Sequence, residues 1–320
     1  MTGAPPDHAN RPPHPWRRYL WVAGALLFSL LLAHFGWENL WQALKTAQPG
    51  LLLWMTALIV AGFWIRAWKW RFALGPGEPG IALFFVAKLA GNWTPGRAGE
   101  FSPLLFRQHR NAQVAVWILS DRLLEVYLTL AFGLAGLHAL NLTAPALVWA
   151  GGLVWLLGAA VFLWVLYRVD WTWGAAAESP GLTRRIAIAM EALQRELRLL
   201  RGRFLAVLGL TLLAKATDIW AVMLLCAAFG YDAAFLLVCA ARCAHALVSA
   251  IPVTPDATGI PFVAAAYVLH VYAGIPYAVL TVALGMEVAI INGVLWCSFL
   301  AGARGLFSGQ AGTPAGGTGN

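Results

Sequence analysis

Ionisable side chains occur inside otherwise apolar stretches of this 320-residue sequence. A charge at the centre of a bilayer costs about 3 kcal/mol or more, so such residues pair with one another or face a polar cavity. Each is therefore a candidate for binding a charged group. The set comprises Lys88, Arg97, Glu100, Asp121, Arg122, Glu125, Lys215, Asp218, Arg242, His245 and Glu287. Local partners would also account for some of them: Asp121 and Glu125 stand at i, i+4 with Arg122 between them in sequence, and Lys215 and Asp218 are an i, i+3 pair.

The sharpest pattern is a polar break, residues 92–100, inside an apolar stretch. Pro95 and Gly96 are typical of a helix end, and Gly99 allows another chain segment to approach closely. Glu100 then falls in the first turn of the next helix, where its charge suits the helix dipole. The break therefore predicts two short helices rather than one continuous helix.

Backbone N–H groups at such a helix start, with Arg97 beside them, predict an anion site whose natural ligand is a lipid phosphate. We assign Lys88 and Asn92, on the preceding apolar piece, to the same site. A second interpretation of Arg97 is that its side chain simply reaches the membrane interface.

A second break interrupts the apolar stretch 235–274 and leaves pieces of about 17 and 13 residues, as the first break leaves about 12 and 7 residues of 80–107. A membrane span needs about 20 apolar residues, so these pieces indicate re-entrant hairpins or discontinuous helices. The residues that break the second stretch are Pro252, Pro255 and Gly259. Candidate binding residues around it are Arg242, His245, Asp256 and Glu287.

Six other segments have the length of a membrane span: 18–36, 50–72, 112–138, 145–168, 204–230 and 276–303. With 60% hydrophobic and 11% charged residues, the chain is predicted to be an all-α polytopic membrane protein rather than a soluble globule. Each broken hairpin has a long helix before and after it, which predicts an inverted repeat with a binding site near the membrane midplane. Two unrelated helix breaks, and eight full spans, are the alternatives.

The net charge of +8 is interpreted as the excess of basic residues that membrane proteins carry on their cytoplasmic side, rather than as affinity for nucleic acid. Basic residues, including Arg66 and Lys69, fall on the cytoplasmic side of a six-span arrangement with both termini in the cytoplasm. We predict a cytoplasmic tail 1–17, one transmembrane domain 18–307 with a cytoplasmic amphipathic loop 169–203, and a disordered tail 308–320. A solvated loop without contact to lipid is the alternative for the amphipathic segment.

Catalytic residues and cofactors are not predicted. Cys239, Cys243 and His245 have no second ligand pair, so we predict no metal site. The four cysteines lie in apolar segments and are interpreted as reduced packing residues.

The first break, followed by Ser120, Asp121 and Arg122, resembles the transmembrane region of the lysylphosphatidylglycerol synthase/flippase family over residues 18–305. The second break resembles that family's second Pro/Gly-rich motif, but the family favours two glycines where Asp256 and Ala257 stand. It also favours a glutamate where Phe262 stands and an arginine near Glu287. The resemblance implies a membrane-embedded lipid flippase domain, here expected to stand alone without a synthase domain.

The sequence and this resemblance together predict a protein of the bacterial inner membrane that moves a phospholipid or lipid-linked headgroup between leaflets. Expected partners are membrane lipids, namely an anionic phospholipid or a polyprenyl-phosphate-linked lipid, with a glycosyltransferase or lipid-modifying enzyme as a protein partner. One alternative is a non-transporting scaffold for such an enzyme. Another is a membrane-embedded lipid-phosphate enzyme, which would need an acidic metal cluster.

Overall fold

The computed structural model describes residues 37–75, 78–94, 97–105, 112–141, 201–249 and 260–308, with scattered positions between 146 and 198. The predicted span 18–36, most of span 145–168 and most of loop 169–203 lie outside these residues. So do the tail 1–17 and, except for Ser308, the tail 308–320.

All regular elements in the described part of the chain are helical. They are α1 (Trp37–Thr46), α2 (Pro49–Leu74), α3 (Gly80–Asn92), a 3₁₀ segment (Ala98–Leu105), α4 (Ala112–Ala139), α5 (Phe204–Ala228), α6 (Phe235–Ser249), α7 (Ile260–Ala273) and α8 (Tyr277–Ser308). A short 3₁₀ turn, Arg201–Arg203, precedes α5. The all-α prediction is confirmed.

Among the described residues, three helices are long and apolar enough to cross a membrane: α2, α5 and the Tyr277–Ala301 part of α8. Helix α4 has 28 residues, which is also long enough to span a core of about 30 Å, but it carries charged residues near its centre. Helix α2 begins with Pro49 in its first turn and ends where the Gly75 N–H donates to the Arg71 carbonyl. The chain is a multi-pass membrane protein.

Both predicted breaks separate short helices. The first separates the 13-residue α3 from the 8-residue 3₁₀ segment, and the second separates the 15-residue α6 from the 14-residue α7. The two members of each pair pack against each other as a hairpin. Several residues predicted to break the helices, together with Asp256, lie outside the described residues: Pro95, Gly96, Pro252, Pro255 and Gly259.

The packing of the elements repeats. Helix α2, the first hairpin and α4 correspond in order to α5, the second hairpin and α8. The packing of α2 on α3 has its counterpart in α5 on α6, and the packing of α4 on α6 has its counterpart in α8 on α3. The same correspondence relates the 3₁₀ segment on α4 to α7 on α8.

The two copies are inverted, because the equivalent helices α2 and α5 pack side by side and run antiparallel. At one end the Gln48 N–H donates to the Ala228 carbonyl at 2.8 Å, and at the other end Arg203 donates to the Phe72 carbonyl at 3.0 Å. Between these ends, Gly62 lies against Thr217. The predicted inverted repeat is therefore present in the structure.

Apolar clusters join helices within and between the two halves. One, around Phe84 and Trp117, is formed mainly by α2, α3 and α4 with residues added from α5 and α8, and another, around Leu237 and Leu269, is formed mainly by α5, α6 and α7 with residues added from α4 and α8. A third cluster, around Met55, joins α2, α5 and α8 across the halves. Apolar packing thus leaves the polar side chains to meet where the two copies face each other.

We predict that Gly136→Leu destabilises the protein by about 1–3 kcal/mol or more, because a side chain there would collide with the α6 backbone at Leu236 and Ala240. Thermal unfolding in detergent checks this prediction. The matched control is Gly209→Leu, at an exposed position of α5 where nothing lies within 4 Å. Equal melting temperatures for the two variants would contradict the packing of α4 on α6.

Candidate functional site

The Glu125 carboxylate, midway along α4, is surrounded by four cations. Its Oε1 atom lies 3.5 Å from Arg66 Nε and 4.0 Å from Lys69 Nζ, both on α2. Its Oε2 atom lies 3.3 Å from Lys88 Nζ on α3 and 3.5 Å from an Arg122 nitrogen one turn earlier on α4. One carboxylate therefore links α2, α3 and α4.

Arg66 also joins the two halves of the protein, because its guanidinium forms a two-pronged salt bridge with Asp218 on α5. A bidentate arginine–carboxylate pair fixes both position and orientation. Lys215, one turn before Asp218, instead donates a hydrogen bond to the Thr129 hydroxyl at 2.7 Å. The i, i+3 pairing of Lys215 with Asp218 that the sequence offered is not formed.

Behind this cluster, Lys69 and Asp121 form a fully buried pair. The Trp70 indole N–H donates to the second Asp121 oxygen at 2.9 Å. The Asp121 side chain is 2% exposed and does not line the cavity described below. Asp121 therefore lies behind the cavity wall, where Lys69, which the sequence placed at the cytoplasmic face, neutralises it inside the helix bundle.

Glu100 lies in the first turn of the 3₁₀ segment, as predicted, but its carboxylate is already neutralised. Arg122 forms a salt bridge with it, and Lys88 Nζ lies 3.4 Å away. Thus Arg66, Lys69, Lys88 and Arg122 balance the four carboxylates of Asp121, Asp218, Glu125 and Glu100.

The backbone N–H groups at the first break donate their hydrogen bonds within the turn itself. The Gly99 N–H donates to the Thr94 hydroxyl at 2.6 Å, the Arg97 N–H to the Thr94 carbonyl, and the Glu100 N–H to the Arg97 carbonyl. Gly99 packs so closely on Ala90 that any side chain there would collide with that backbone. These three N–H groups therefore stabilise the turn itself.

Arg242 on α6 forms a salt bridge with Glu287 on α8. Under the repeat correspondence this pair is equivalent to Lys88 on α3 with Glu125 on α4. In each half, a cation on the first helix of the hairpin thus meets a carboxylate on the following long helix.

The correspondence between the two halves continues three residues further along each hairpin. Gly91, after Lys88, lies against Glu100, and His245, after Arg242, lies edge-on to the Phe262 ring at 5.6 Å between centroids. The carboxylate of the first half is therefore replaced by a phenyl ring in the second half. The two walls of the site are not chemically equivalent.

A partly open cavity of about 460 Å³ lies where the two halves meet. Its lining includes Ile59, Phe63 and Arg66 from α2, and residues from both hairpins and from α4, α5 and α8. The cations in the lining are Arg66, Lys88, Arg97, Arg122, Lys215 and Arg242. The carboxylates are Glu100, Glu125, Asp218 and Glu287.

Most predicted binding residues lie in this lining. They are Lys88, Asn92, Arg97, Glu100, Arg122, Arg242, His245 and Glu287. Gly99 supports the turn behind the cavity, Asp121 lies behind the wall, and Asp256 is outside the described residues.

Sequence reasoning missed Arg66 as a site residue and interpreted it as a charge at the cytoplasmic face. Arg66 lies eight residues before the end of α2, which is about 12 Å along the helix axis. This distance from the helix end is the signal that could have placed Arg66 inside the membrane rather than at its face. Glu125, Lys215 and Asp218 were recognised as ionisable but not assigned to the site, because local pairs could explain them.

Within the described ranges, no group of three or more His, Cys, Asp or Glu side chains could hold a metal ion. Of the cysteines there, Cys226, Cys239 and Cys243 are buried free thiols and Cys297 is exposed.

These features define a helical membrane protein with an internal inverted repeat and a charged cavity between two broken hairpins. The sequence matches the family described as the lysylphosphatidylglycerol synthase TM region over residues 19–294, and the chain belongs to that family. The membership confirms the resemblance and indicates a role related to lipids. No curated protein and no solved structure matches the chain.

We predict that Glu125→Gln destabilises the protein by about 3–5 kcal/mol, because it removes the carboxylate shared by four cations and leaves their charge uncompensated. Thermal unfolding in detergent is the measurement, with Glu38→Gln on the exposed surface of α1 as the control. Adding Lys88→Gln to Glu125→Gln restores the charge balance and should recover part of the loss. A Glu125→Gln protein as stable as the control would contradict the central role of this carboxylate.

Proposed function

We propose that the protein translocates a phospholipid or lipid-linked headgroup between the leaflets of the bacterial inner membrane. The observation that carries the proposal is the charged cavity at the interface between two inverted copies. In transporters with inverted repeats, binding sites lie at this interface near the midplane and are formed by discontinuous helices. Family membership supports the lipid as the transported class.

The volume and lining of the cavity fit a headgroup rather than a whole lipid. A cavity of about 460 Å³ lies within the usual size range of small-ligand sites. The outer surfaces of the helices carry exposed apolar residues, such as Leu205 on α5, that suit contact with acyl chains. We propose that the headgroup enters the cavity while the acyl chains remain in the surrounding hydrocarbon.

The cations and carboxylates of the cavity neutralise one another, and this pairing bears on how a charged headgroup could pass through it. Paired cations and carboxylates avoid the cost of isolated charges in a low-dielectric interior. An incoming phosphate can take Lys88 as its partner without leaving a carboxylate isolated, because Glu100 and Glu125 both keep Arg122. Membrane lipids are thus the proposed ligands, and we propose no catalytic step.

We predict that the purified protein in liposomes accelerates leaflet exchange of labelled lipids and that Val126→Trp lowers this exchange at least tenfold. Val126 lines the cavity and is 51% exposed, so a tryptophan there would fill the space without crowding the apolar core. Exchange rates are measured by quenching of the labelled lipid in the outer leaflet.

The matched control is Leu123→Trp, on the same helix and 42% exposed but outside the cavity lining. It should exchange lipids as the unmodified protein does. No exchange of any lipid by a folded protein, or equal loss in both tryptophan variants, would contradict translocation through this cavity. Stable co-purification with a glycosyltransferase would then favour the scaffold function.

We also propose an orientation with both termini in the cytoplasm, which places the turn between α5 and α6 outside and the start of α5 inside. In a Cys297→Ser background, an impermeant maleimide should label Asp232→Cys in intact cells. It should label Gly202→Cys only after the membrane is opened. Both positions are exposed and lie at opposite ends of α5. Reversed labelling would contradict the orientation.

A further inference from the structure

Two exposed arginines meet at one end of the α2–α5 pair, away from the cavity. Arg71 lies three residues before the end of α2, and Arg203 lies immediately before the start of α5. Both residues are exposed, and neither lines the cavity. The antiparallel packing of α2 on α5 brings these two helix ends together.

The Arg203 guanidinium lies against the end of α2. Its Nη1 atom donates to the Phe72 carbonyl at 3.0 Å and to the Ala73 carbonyl at 3.4 Å, and its Cζ atom lies 5.7 Å from the centre of the Phe72 ring. A cation is favourable at this end of a helix, where the carbonyl groups carry partial negative charge. Capping of α2 therefore explains the position of Arg203, but it requires neither the exposed Arg71 nor exposed aromatic rings beside it.

Large apolar side chains accompany the two arginines and are exposed as well. Trp68 lies one turn before Phe72 on α2, and Phe204 and Leu205 are the first two residues of α5. The exposed fractions of these four residues range from 43% for Phe72 to 80% for Leu205. We call the whole set the basic–aromatic patch: Trp68, Arg71, Phe72, Arg203, Phe204 and Leu205.

The length of α2 places the basic–aromatic patch at a membrane surface. A helix of 26 residues is about 39 Å long, whereas the hydrocarbon core of a bilayer is about 30 Å thick. The ends of α2 therefore reach the headgroup region, where tryptophan is enriched and where basic side chains meet lipid phosphates. In the orientation proposed above, this surface is the cytoplasmic one.

We infer that the basic–aromatic patch is a lipid-binding site, which holds an anionic phospholipid of the leaflet at this end of α2. The negative headgroup complements Arg71 and Arg203, because guanidinium groups donate paired, charge-assisted hydrogen bonds to phosphate oxygens. Arg203 keeps donors for this purpose, since both of its hydrogen bonds to α2 use Nη1. The exposed apolar side chains of the patch contact the upper parts of the acyl chains.

This site does not depend on translocation through the cavity. A lipid bound at the basic–aromatic patch stays in its own leaflet, with its headgroup at the membrane surface. The cavity, in contrast, is lined by Arg66, Asp218 and other charged residues in the interior of the helix bundle.

A fluorophore beside the basic–aromatic patch measures its preference between lipids. The full chain with Cys297→Ser and Gly202→Cys is labelled with a maleimide fluorophore at position 202, which is exposed and precedes Arg203. It is placed in phosphatidylcholine nanodiscs that contain increasing fractions of a quencher lipid. The quencher is a nitroxide near the glycerol end of one acyl chain, carried by either phosphatidylglycerol or phosphatidylcholine.

We expect phosphatidylglycerol to be preferred at position 202 by at least about fivefold, because each basic side chain near anionic lipid contributes a factor of about that size. The same label at Asp232→Cys, at the opposite end of α5, should show no such preference. Equal quenching by both lipids at position 202 would overturn the inference and favour a protein partner for the patch. An equal preference at both labels would show general attraction to the basic protein and overturn the site.

Arg71→Gln tests the charge directly. We expect it to reduce the preference for phosphatidylglycerol about fivefold, whereas Arg71→Lys keeps most of it. The matched control is Lys45→Gln, which removes an exposed cation beside the Trp41 ring near the opposite end of α2 and should leave the preference unchanged. An unchanged preference in Arg71→Gln, or an equal loss in Arg71→Gln and Arg71→Lys, would overturn the assignment of Arg71.

Leaflet exchange separates this inference from the proposed function. Arg71 lies outside the cavity lining, so Arg71→Gln should exchange lipids at the unmodified rate although its preference at position 202 is reduced. Val126→Trp should show the converse, slow exchange with the preference retained. A preference that disappears in Val126→Trp would show that the label reports lipid in the cavity, and it would overturn the inference while leaving translocation intact.

Discussion

The rest of the structure depends on one carboxylate, that of Glu125, which four cations share in the interior of the helix bundle. Desolvating five charges together is tolerable only when each has a partner, so the positions of α2, α3 and α4 are coupled. Arg66 extends the coupling to α5 through Asp218. The polar cluster thus fixes how charged side chains of the two halves meet, while apolar clusters pack the helices within and between the halves.

The inverted repeat explains why such a cluster lies beside a cavity. Two broken hairpins meet at the interface between the copies. The helix break in the first hairpin turns the backbone back on itself and so brings Lys88 close to Glu100. The backbone donors at the described part of the first break bond within the turn. The charged groups that line the cavity are therefore side chains, whereas these backbone donors are engaged within the turn.

The two copies have diverged in chemistry while keeping their packing. Each has a cation on the first hairpin helix and a carboxylate on the next long helix. Only the first adds the Glu100–Arg122 pair, since Phe262 with His245 occupies the equivalent place in the second. The first half therefore contributes one more salt bridge between hairpin and long helix than the second half does.

The sequence by itself determined the helical membrane class, the two breaks and six of the ten charged residues that line the cavity, because span length and the cost of intramembrane charge are local properties. It also indicated the repeat, through the order of long helices and broken segments. The pairing of charges was decided only by the tertiary structure. Asp218 could pair with Lys215 one turn away or with Arg66 on another helix, and the sequence alone does not distinguish these two partners. Antiparallel packing of α2 on α5 brings Arg66 to Asp218, so Lys215 remains among the cavity cations.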